Sequence, residues 1–292
     1  MKWQDIRRVR ALALVPLLAL GAMAAVPHLR SPSHDRVWSA DGERLASIER
    51  NGPEITIHDV RNARYRSTTD YDVAWESRTV RLDELESVWV MVEPFREHPS
   101  IGHTILSFGF ADGQYLALSS EVRKEPDEEY GIWAGMVGAF ELMPLVADER
   151  DVFGLRANYR HDDVYLYPLR LTPAERERVF LAALESVETR RREPAFYHTL
   201  TSNCTTNMVE VLRAARPDLL PAWHWSYLLP SSFDRLLLDK GLVATDLGLE
   251  DARAAFRINP RAGGGADTLP DFSRRIRAVA DRYSAEGARR NR

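Results

Sequence analysis

Cys204 is the residue of this sequence best suited to covalent chemistry. It is the only cysteine among 292 residues, and it lies in the run Ser202-Asn203-Cys204-Thr205-Thr206, which is predicted to open a helix. The free backbone N–H groups and the partial positive charge of a helix N-terminus favour a thiolate over a thiol. The same N–H groups can stabilise the oxyanion that forms when a thiolate attacks a carbonyl carbon. We interpret Cys204 as a candidate nucleophile, against the alternative of an inert, buried cysteine.

A thiol nucleophile needs a base, and His103 is the best placed of the eight histidines. It begins a predicted strand that runs to Phe110, so its ring would be held on a rigid sheet. The other histidines lie in the N-terminal linker, in loops or in polar surroundings without an evident partner. An ordinary hydrogen-bonded histidine at a strand end is the alternative. The sequence therefore predicts a Cys204–His103 pair.

The turn that follows this strand decides which side chain faces His103. In a first reading, Asp112 and Gly113 form a two-residue type I′ loop. Counting back from that loop places Val122 opposite His103, with Ser120 on the same side of the sheet. A shift of one residue would exchange the two faces completely.

In a second reading, residues 111–113 form a three-residue loop that a left-handed glycine closes. Counting back then places Glu121 directly opposite His103. A carboxylate can fix the tautomer of a base histidine and stabilise its positive form, which valine cannot do. We therefore predict the three-residue loop, with Glu121 as the orienting group and Ser120 as the alternative.

The pattern along the chain predicts an α+β fold, because strands come first, helices follow and no βαβ alternation is present. Apolar runs and turn signals mark the strands, and a Thr172-Pro173 capping box marks the first long helix. Residues 61–84 are predicted to form an irregular arm over the surface. The predicted strands are 54–60, 85–95, 103–110, 114–122, 140–147 and 164–169, and the predicted helices are 173–192, 204 to before Pro217, 227–239 and 271–285.

The order of these features resembles the circularly permuted papain-like proteins, which include lecithin:retinol acyltransferase-like and NlpC-type enzymes. The closer resemblance is to the periplasmic domain family named after the N-terminal domain of the bacterial lipoprotein N-acyl transferase Lnb. It covers about residues 60–230. The matching segments are Val60-Arg61-Asn62-x-Arg64-Tyr65-Arg66, Gly102-His103-Thr104, Ser107-Phe108-Gly109-Phe110, Ser119-x-Glu121-x-Arg123, Asp148-Glu149-Arg150-Asp151, Val164-Tyr165-Leu166-Tyr167 and Phe196-Tyr197 to Asn203-Cys204-Thr205-Thr206.

This resemblance implies an antiparallel sheet with the nucleophile helix packed on it. It also implies that Cys204 is the nucleophile, that His103 is the base, and that an acyl group passes through a thioester on the cysteine. We expect no cofactor and no metal. The residues expected to bind substrate are Arg123, Asn203 and Tyr197.

Composition and charge exclude several other classes of protein. The 39 basic and 43 acidic residues give a net charge of −4, which argues against a general nucleic-acid-binding protein. A single cysteine excludes an internal disulfide and a cysteine-rich zinc site. The acidic run Asp148–Asp151 is interpreted as a surface ion-pair cluster, with cation binding as the alternative.

The amino terminus predicts export. Residues 1–10 carry four basic side chains and one acidic one, and Ala11–Val26 is an uncharged run of 16 residues. This pattern is typical of a signal segment, although a membrane span needs about 20 residues. An uncleaved anchor and a signal cleaved near Ala22-Met23-Ala24 both stay open. The positive-inside rule keeps residues 1–10 in the cytoplasm and the rest in the periplasm.

The expected organisation has four parts: a signal peptide or transmembrane anchor (1–30), a linker with the first strand (31–59), an Lnb-type domain (60–250), and a flexible C-terminal tail with a short basic helix (251–292). The expected function is a membrane-associated periplasmic acyltransferase or hydrolase that acts on lipid, lipoprotein or cell-envelope substrates. The inner membrane and a lipid or lipoprotein acyl substrate are the expected partners. The alternatives are a non-catalytic envelope ligand-binding protein and a cell-wall peptidase or amidase of the same fold.

Overall fold

A computed structural model describes residues 30–278, apart from Tyr130 and Val137. The predicted signal or anchor segment, except for Arg30, lies outside the described residues. No helix within 30–278 is long and apolar enough to cross a membrane. The described chain mixes helices with a mostly antiparallel sheet, which confirms the α+β class.

The strands form one large sheet and a small two-stranded one. Those of the described chain are β1 (Ser47–Asn51), β2 (Glu54–Arg61), β3 (Arg64–Tyr65), β4 (Tyr71–Asp72), β5 (Trp75–Arg81), β6 (Leu85–Pro94), β7 (Gly102–Phe110), β8 (Tyr115–Arg123), β9 (Glu141–Ala147) and β10 (Tyr165–Pro168). The large sheet has the order β1-β2-β9-β8-β7-β6-β10, with β5 also paired to β2, while β3 pairs with β4. Only the single pairing of Arg61 with Ala147 between β2 and β9 is parallel among these strands.

The helices follow the strands along most of the chain. Those described are α1 (Ile132–Met136), α2 (Glu149–Gly154), α3 (Pro173–Arg192), α4 (Cys204–Ala215), α5 (Phe233–Asp239), α6 (Leu249–Phe256), α7 (Asn259–Ala262) and α8 (Phe272–Arg277). A π-helical turn, Leu155–Arg160, continues α2 and ends at His161, which has a left-handed φ of 57°. The predicted capping box of α3 is confirmed, since Thr172 and Glu175 cap each other reciprocally.

Strand β7 lies at the centre of the core, and all nine of its residues are buried. Helix α3 packs over one face, where the Phe180 ring lies 5.0 Å from Phe108 and 5.4 Å from Phe110. Gly109 is required for close packing, because a Cβ there would lie 2.5 Å from the Ser87 hydroxyl and from the Tyr115 ring. The strand that carries His103 is therefore fixed from both sides.

Residues 61–84 are more regular than the sequence predicted. They contain β3, β4 and β5, and β5 joins the main sheet through six residues that pair with β2. Its alternating exposed and half-buried side chains are rich in Arg, Glu, Ser and Thr, which concealed the strand. The prediction of an irregular arm here was wrong.

Residues 251–278, which the sequence assigned to a flexible tail, form packed helices. Phe256, Phe272 and Ile276 are buried in the same core as the sheet. The apolar side chains of this segment are few and scattered among arginines and glycines, so their periodicity was not visible in the sequence. The part of the predicted tail beyond Ala278 lies outside the described residues.

The acidic run Asp148–Asp151 is an ion-pair cluster, but it is not on the surface. Asp151 is fully buried and accepts two hydrogen bonds of 2.8 Å from Arg61. Glu149 is also fully buried, and Arg277 binds it through both terminal nitrogens. These two carboxylates join α2 to β2 and to α8, which leaves neither of them free for a cation.

Candidate active site

The β7–β8 hairpin has the predicted three-residue loop. The Phe110 N–H donates to the Gln114 carbonyl at 3.0 Å, and Gly113 has a left-handed φ of 86°. The ladder pairs Ile105 with Ser119. Two residues further along this register, His103 lies opposite Glu121, so the alternative of a two-residue loop was wrong.

His103 is buried at the start of β7 and touches two polar side chains of β8. Its Nε2 atom lies 2.6 Å from the Ser119 hydroxyl and 3.2 Å from Glu121 Oε1. The Ser119 hydroxyl in turn donates to Glu121 Oε1 at 2.7 Å. Because that hydroxyl donates its hydrogen to the carboxylate, it accepts a hydrogen bond from the Nε2–H of the ring. This arrangement leaves the other ring nitrogen, Nδ1, available to exchange a proton.

A buried arginine holds Glu121 from another direction. Arg156 lies in the π-helical turn, and its Nη2 donates to Glu121 Oε1 at 2.9 Å. Its Nε donates at 2.6 Å to Glu93, a fully buried carboxylate on β6. Burial raises the pKa of Glu93 to about 7, against the opposing effect of the Arg156 charge. His103, Glu121, Arg156 and Glu93 thus form one charged network.

Cys204 is the first residue of α4, as predicted, and only 3% of it is exposed. Burial by itself raises the pKa of the thiol. The positive charge of His103, a hydrogen bond from His103, and hydrogen bonds from the Thr104 N–H and the Thr205 hydroxyl outweigh burial and lower the pKa below its ordinary value. The thiol of Cys204 therefore ionises more readily than an ordinary cysteine thiol.

The charges of the neighbours act on His103 in the opposite sense. Burial lowers the pKa of the imidazole, but the negative charges of Glu121 and of the Cys204 thiolate raise it to about 10. His103 and Arg156 together hold the pKa of Glu121 well below its usual range, although burial acts to raise it. These shifts favour a thiolate beside an imidazolium and a carboxylate over a neutral thiol beside a neutral imidazole.

Asn203 fixes the start of the nucleophile helix. Its side-chain oxygen accepts from the Thr206 N–H at 2.8 Å, and the Thr206 hydroxyl accepts from the Asn203 N–H, which completes a capping box. Its amide nitrogen donates to the carbonyls of Thr199 and Tyr227, at 2.7 and 2.9 Å. The groups of Asn203 are committed to these structural contacts, so it positions Cys204.

A cavity of about 170 Å³ opens beside the base. His103, Glu121, Tyr197, Phe95 and Arg160 are among the residues that line it. Tyr197, which the sequence predicts to contact substrate, lies in the wall of this cavity.

Cys204 lines a separate, smaller cavity of about 20 Å³, together with Thr104, Leu118 and Met208. Ser120, the alternative orienting residue, lines both cavities and lies next to Glu121 in sequence. The ring of His103 is held by Ser119 and Glu121.

The structure does not bring Arg123 into the cavity beside His103. Its Nε donates to the Gly42 carbonyl at 2.7 Å and its Nη2 to the Glu43 carbonyl at 2.8 Å. The guanidinium also lies 4.3 Å from the Trp38 ring centre. Burial lowers the pKa of Arg123 to about 10. The expected substrate-binding role is thus replaced by a structural one, in which Arg123 anchors the N-terminal arm to the sheet.

Sequence reasoning missed Arg156 and Glu93. Arg156 is one of 36 arginines and follows a helix that was not predicted, so nothing in the local pattern distinguishes it. Glu93 gave a signal, because it is a carboxylate at the end of an apolar strand. Among the residues that the structure describes, no three His, Cys, Asp or Glu side chains are grouped so that they could hold a metal ion.

A comparison with known families identifies the domain that carries this site. The model of the Lnb N-terminal periplasmic domain matches residues 71–235, more than half of the chain. The chain belongs to this family. No curated protein and no solved structure matches it. The matched Lnb N-terminal periplasmic domain contains His103, Glu121, Arg156 and Cys204, and its family supports a periplasmic, envelope-associated protein.

Proposed function

We propose that this protein is a cysteine-dependent acyl-transfer enzyme of the periplasm, whose acyl donor is a lipid or lipoprotein ester. The observation that carries the proposal is the Cys204–His103–Glu121 arrangement. A thiol with a lowered pKa opens a helix, a buried imidazole adjoins it, and a carboxylate lies 3.2 Å from the far ring nitrogen. Nucleophile, base and orienting group are the three parts that covalent catalysis of this kind requires. The resemblance of the sequence to papain-like proteins supports the same chemistry.

The first half-reaction forms an acyl-enzyme. The Cys204 thiolate attacks the ester carbonyl, and the new S–C bond produces a tetrahedral oxyanion. The backbone N–H groups of Cys204 and Thr205 belong to the first turn of α4, where no intrahelical acceptor exists, so they are free to stabilise that charge. The C–O bond then breaks, the imidazolium of His103 gives its Nδ1 proton to the leaving alkoxide, and a thioester remains on Cys204.

The second half-reaction releases the acyl group. Neutral His103 now removes a proton from an incoming amine or water, which attacks the thioester carbonyl. The S–C bond breaks, the thiolate returns, and His103 is again an imidazolium. Throughout both steps Glu121 accepts, directly and through Ser119, at Nε2 and keeps the ring oriented. An amine acceptor makes the protein a transferase, and water makes it a hydrolase.

Trapping the thioester tests this proposal. The full chain is incubated with p-nitrophenyl esters of increasing acyl length, and its intact mass is measured. We expect a mass increase equal to the acyl group on Cys204, removed by neutral hydroxylamine. Cys204→Ser and His103→Ala should abolish the hydroxylamine-sensitive adduct. His58→Ala is the matched control, because His58 lies on β2 with an exposed side chain. A folded wild-type protein that takes no acyl group from any ester would refute the proposal.

A further inference from the structure

Exposed apolar side chains gather in two short segments beside the nucleophile helix. Six large apolar side chains are exposed among the described residues, and four of these lie within 198–202 and 221–230. Their exposed fractions are 67% for Trp223, 44% for Leu200, 41% for Trp225 and 39% for Leu229. We refer to these four residues as the apolar rim. Its side chains are too exposed to be part of the hydrophobic core, so they are free to contact another apolar surface.

The apolar rim is attached to the start of α4. The Asn203 amide nitrogen binds the Thr199 carbonyl and the Tyr227 carbonyl, both within 3 Å, which ties one segment of the rim to the other. Asn203 directly precedes Cys204 in the chain. The Ser231 hydroxyl also donates to the Ser100 carbonyl at 2.9 Å, in the loop before β7. The rim therefore lies at the end of the sheet that carries the thiol and His103.

The N-terminal arm enters the structure at this same end. Arg36 Nε lies 3.0 Å from Glu141 Oε1, and the charge of Arg30 also acts on Glu141. Glu141 begins β9 and pairs with Phe196, just before the segment that holds Leu200. In the sequence, only Pro27-His28-Leu29 separate Arg30 from the uncharged apolar run 11–26. A membrane that takes up this run would lie close to the apolar rim.

We propose that the apolar rim rests on a lipid bilayer, so that Cys204 works at the membrane surface. Tryptophan is enriched at the membrane–water interface, where its ring meets both apolar chains and polar headgroups. A bilayer is also where the acyl substrate of the proposed function would be found, and to that extent this inference rests on the proposed function.

Charge decides what kind of bilayer surface fits. The loop after β8, at this end of the sheet, contains Asp127, Glu128 and Glu129 against Lys124, and its Glu125 is paired with Arg36 at 3.1 Å. Anionic lipid would be repelled by this loop, so binding should depend on burial of apolar area and not on charge. Vesicles of zwitterionic phosphatidylcholine should therefore suffice, and high salt should not reduce the contact.

Fluorescence quenching tests the contact in the full chain. The protein is reconstituted into phosphatidylcholine vesicles with and without brominated acyl chains, which quench nearby tryptophan. We expect quenching of wild type that falls clearly in a Trp223→Phe, Trp225→Phe double variant. Trp75→Phe is the control, because Trp75 lies at the opposite end of the sheet. Trp75 pairs with Arg61, which pairs with Ala147 at the end of β9, whereas Glu141 is at the start of β9. The same quenching in the double variant and in wild type would overturn the inference.

Two further outcomes are informative. Quenching that needs anionic lipid, or that disappears in high salt, would mean an electrostatic contact and would also overturn the inference. Cys204→Ser should show wild-type quenching, because surface contact needs no thiol. If the quenching result holds while no acyl-enzyme forms on soluble esters, the membrane contact stands and the proposed function fails. The reverse pair of results would leave the function and remove the contact.

Discussion

Arg156 donates from Nη2 to Glu121 Oε1 at 2.9 Å, the same oxygen that lies 3.2 Å from His103 Nε2. The carboxylate is thereby held between two positive groups, and the same guanidinium binds the buried Glu93 at 2.6 Å. The orientation of the imidazole therefore depends on a guanidinium that does not touch it. Arg156 is a positioning residue in this site, and its removal should affect both stability and thiol ionisation.

Arg156→Gln should lower the free energy of unfolding by about 1–3 kcal/mol, because Glu93 and Glu121 lose their hydrogen bonds from the guanidinium and the buried Glu93 takes up a proton. The double variant Glu93→Gln, Arg156→Gln should lose less, since no buried carboxylate is left without a partner. Urea unfolding of wild type, both single variants and the double variant gives the coupling free energy. Losses that simply add in the double variant would show that the two side chains do not depend on each other.

The pH dependence of Cys204 follows from two shifts of opposite sign. The pKa of the thiol is lowered, and the pKa of His103 is raised to about 10. The thiolate–imidazolium pair therefore exists at pH values between the pKa of the thiol and that of the imidazole. Acyl transfer needs both charges. Its rate should rise as the thiol ionises below its ordinary pKa of about 8.5 and should fall as the pH passes through about 10.

Alkylation by iodoacetamide reports the thiolate alone. In His103→Ala the thiol loses its positive neighbour while burial remains, so its pKa should rise and alkylation at pH 7 should slow by about tenfold or more. His58→Ala again serves as the control. An unchanged alkylation profile in His103→Ala would contradict the pairing of the two residues.

Glu121→Gln should shift the alkaline limit of activity to lower pH. The negative charge of Glu121 raises the pKa of His103 against the opposing effect of burial, so its loss lets burial lower that pKa. The rate at neutral pH should fall by about 10²- to 10⁴-fold, the range for a disabled general acid–base group, and Glu121→Asp should restore part of it. A comparable loss in Ser120→Ala, with Glu121→Gln unaffected, would transfer the orienting role to Ser120.

The hairpin that carries this pair could be predicted because turn geometry is local. Three residues and one glycine with positive φ set the register, and a parity argument then places Glu121 against His103. The start of α4 was equally legible from Asn203 and the residues after it. At these positions the chemical argument and the local geometry favoured the same residues, so the prediction was specific.

Long-range contacts were beyond this kind of reasoning. Arg123 has the residue type of an anion ligand, yet its donors bind the carbonyls of Gly42 and Glu43, some 80 residues away in sequence. Arg156 reaches Glu93 and Glu121 from a π-helical turn that has no sequence signature. Which of many arginines is satisfied by backbone, and which by carboxylate, depends on tertiary packing that spacing does not encode.

Asn203→Asp separates the two tasks of the helix cap. Aspartate keeps the oxygen that accepts from the Thr206 N–H, but it loses the donor to the Thr199 and Tyr227 carbonyls and adds a negative charge beside the thiol. We expect a higher pKa of Cys204 and slower alkylation at neutral pH. Thr172→Ala, at the equivalent cap of α3, should cost about 1 kcal/mol of stability and leave thiol reactivity unaltered. Equal reactivity in Asn203→Asp and wild type would mean that the tether to Tyr227 does not position Cys204.

Arg277 tests whether the C-terminal helix belongs to the domain. It binds both oxygens of the buried Glu149, at 2.7 and 2.5 Å, and its guanidinium carbon lies 3.9 Å from the Tyr115 ring centre. Arg277→Ala should lower the free energy of unfolding by about 3–5 kcal/mol, because Glu149 would remain buried without its cation. Arg274→Ala, an exposed neighbour on the same helix, should change it by no more than about 0.5 kcal/mol. If both variants unfold at the same urea concentration, the Arg277–Glu149 pair does not anchor this helix to the domain.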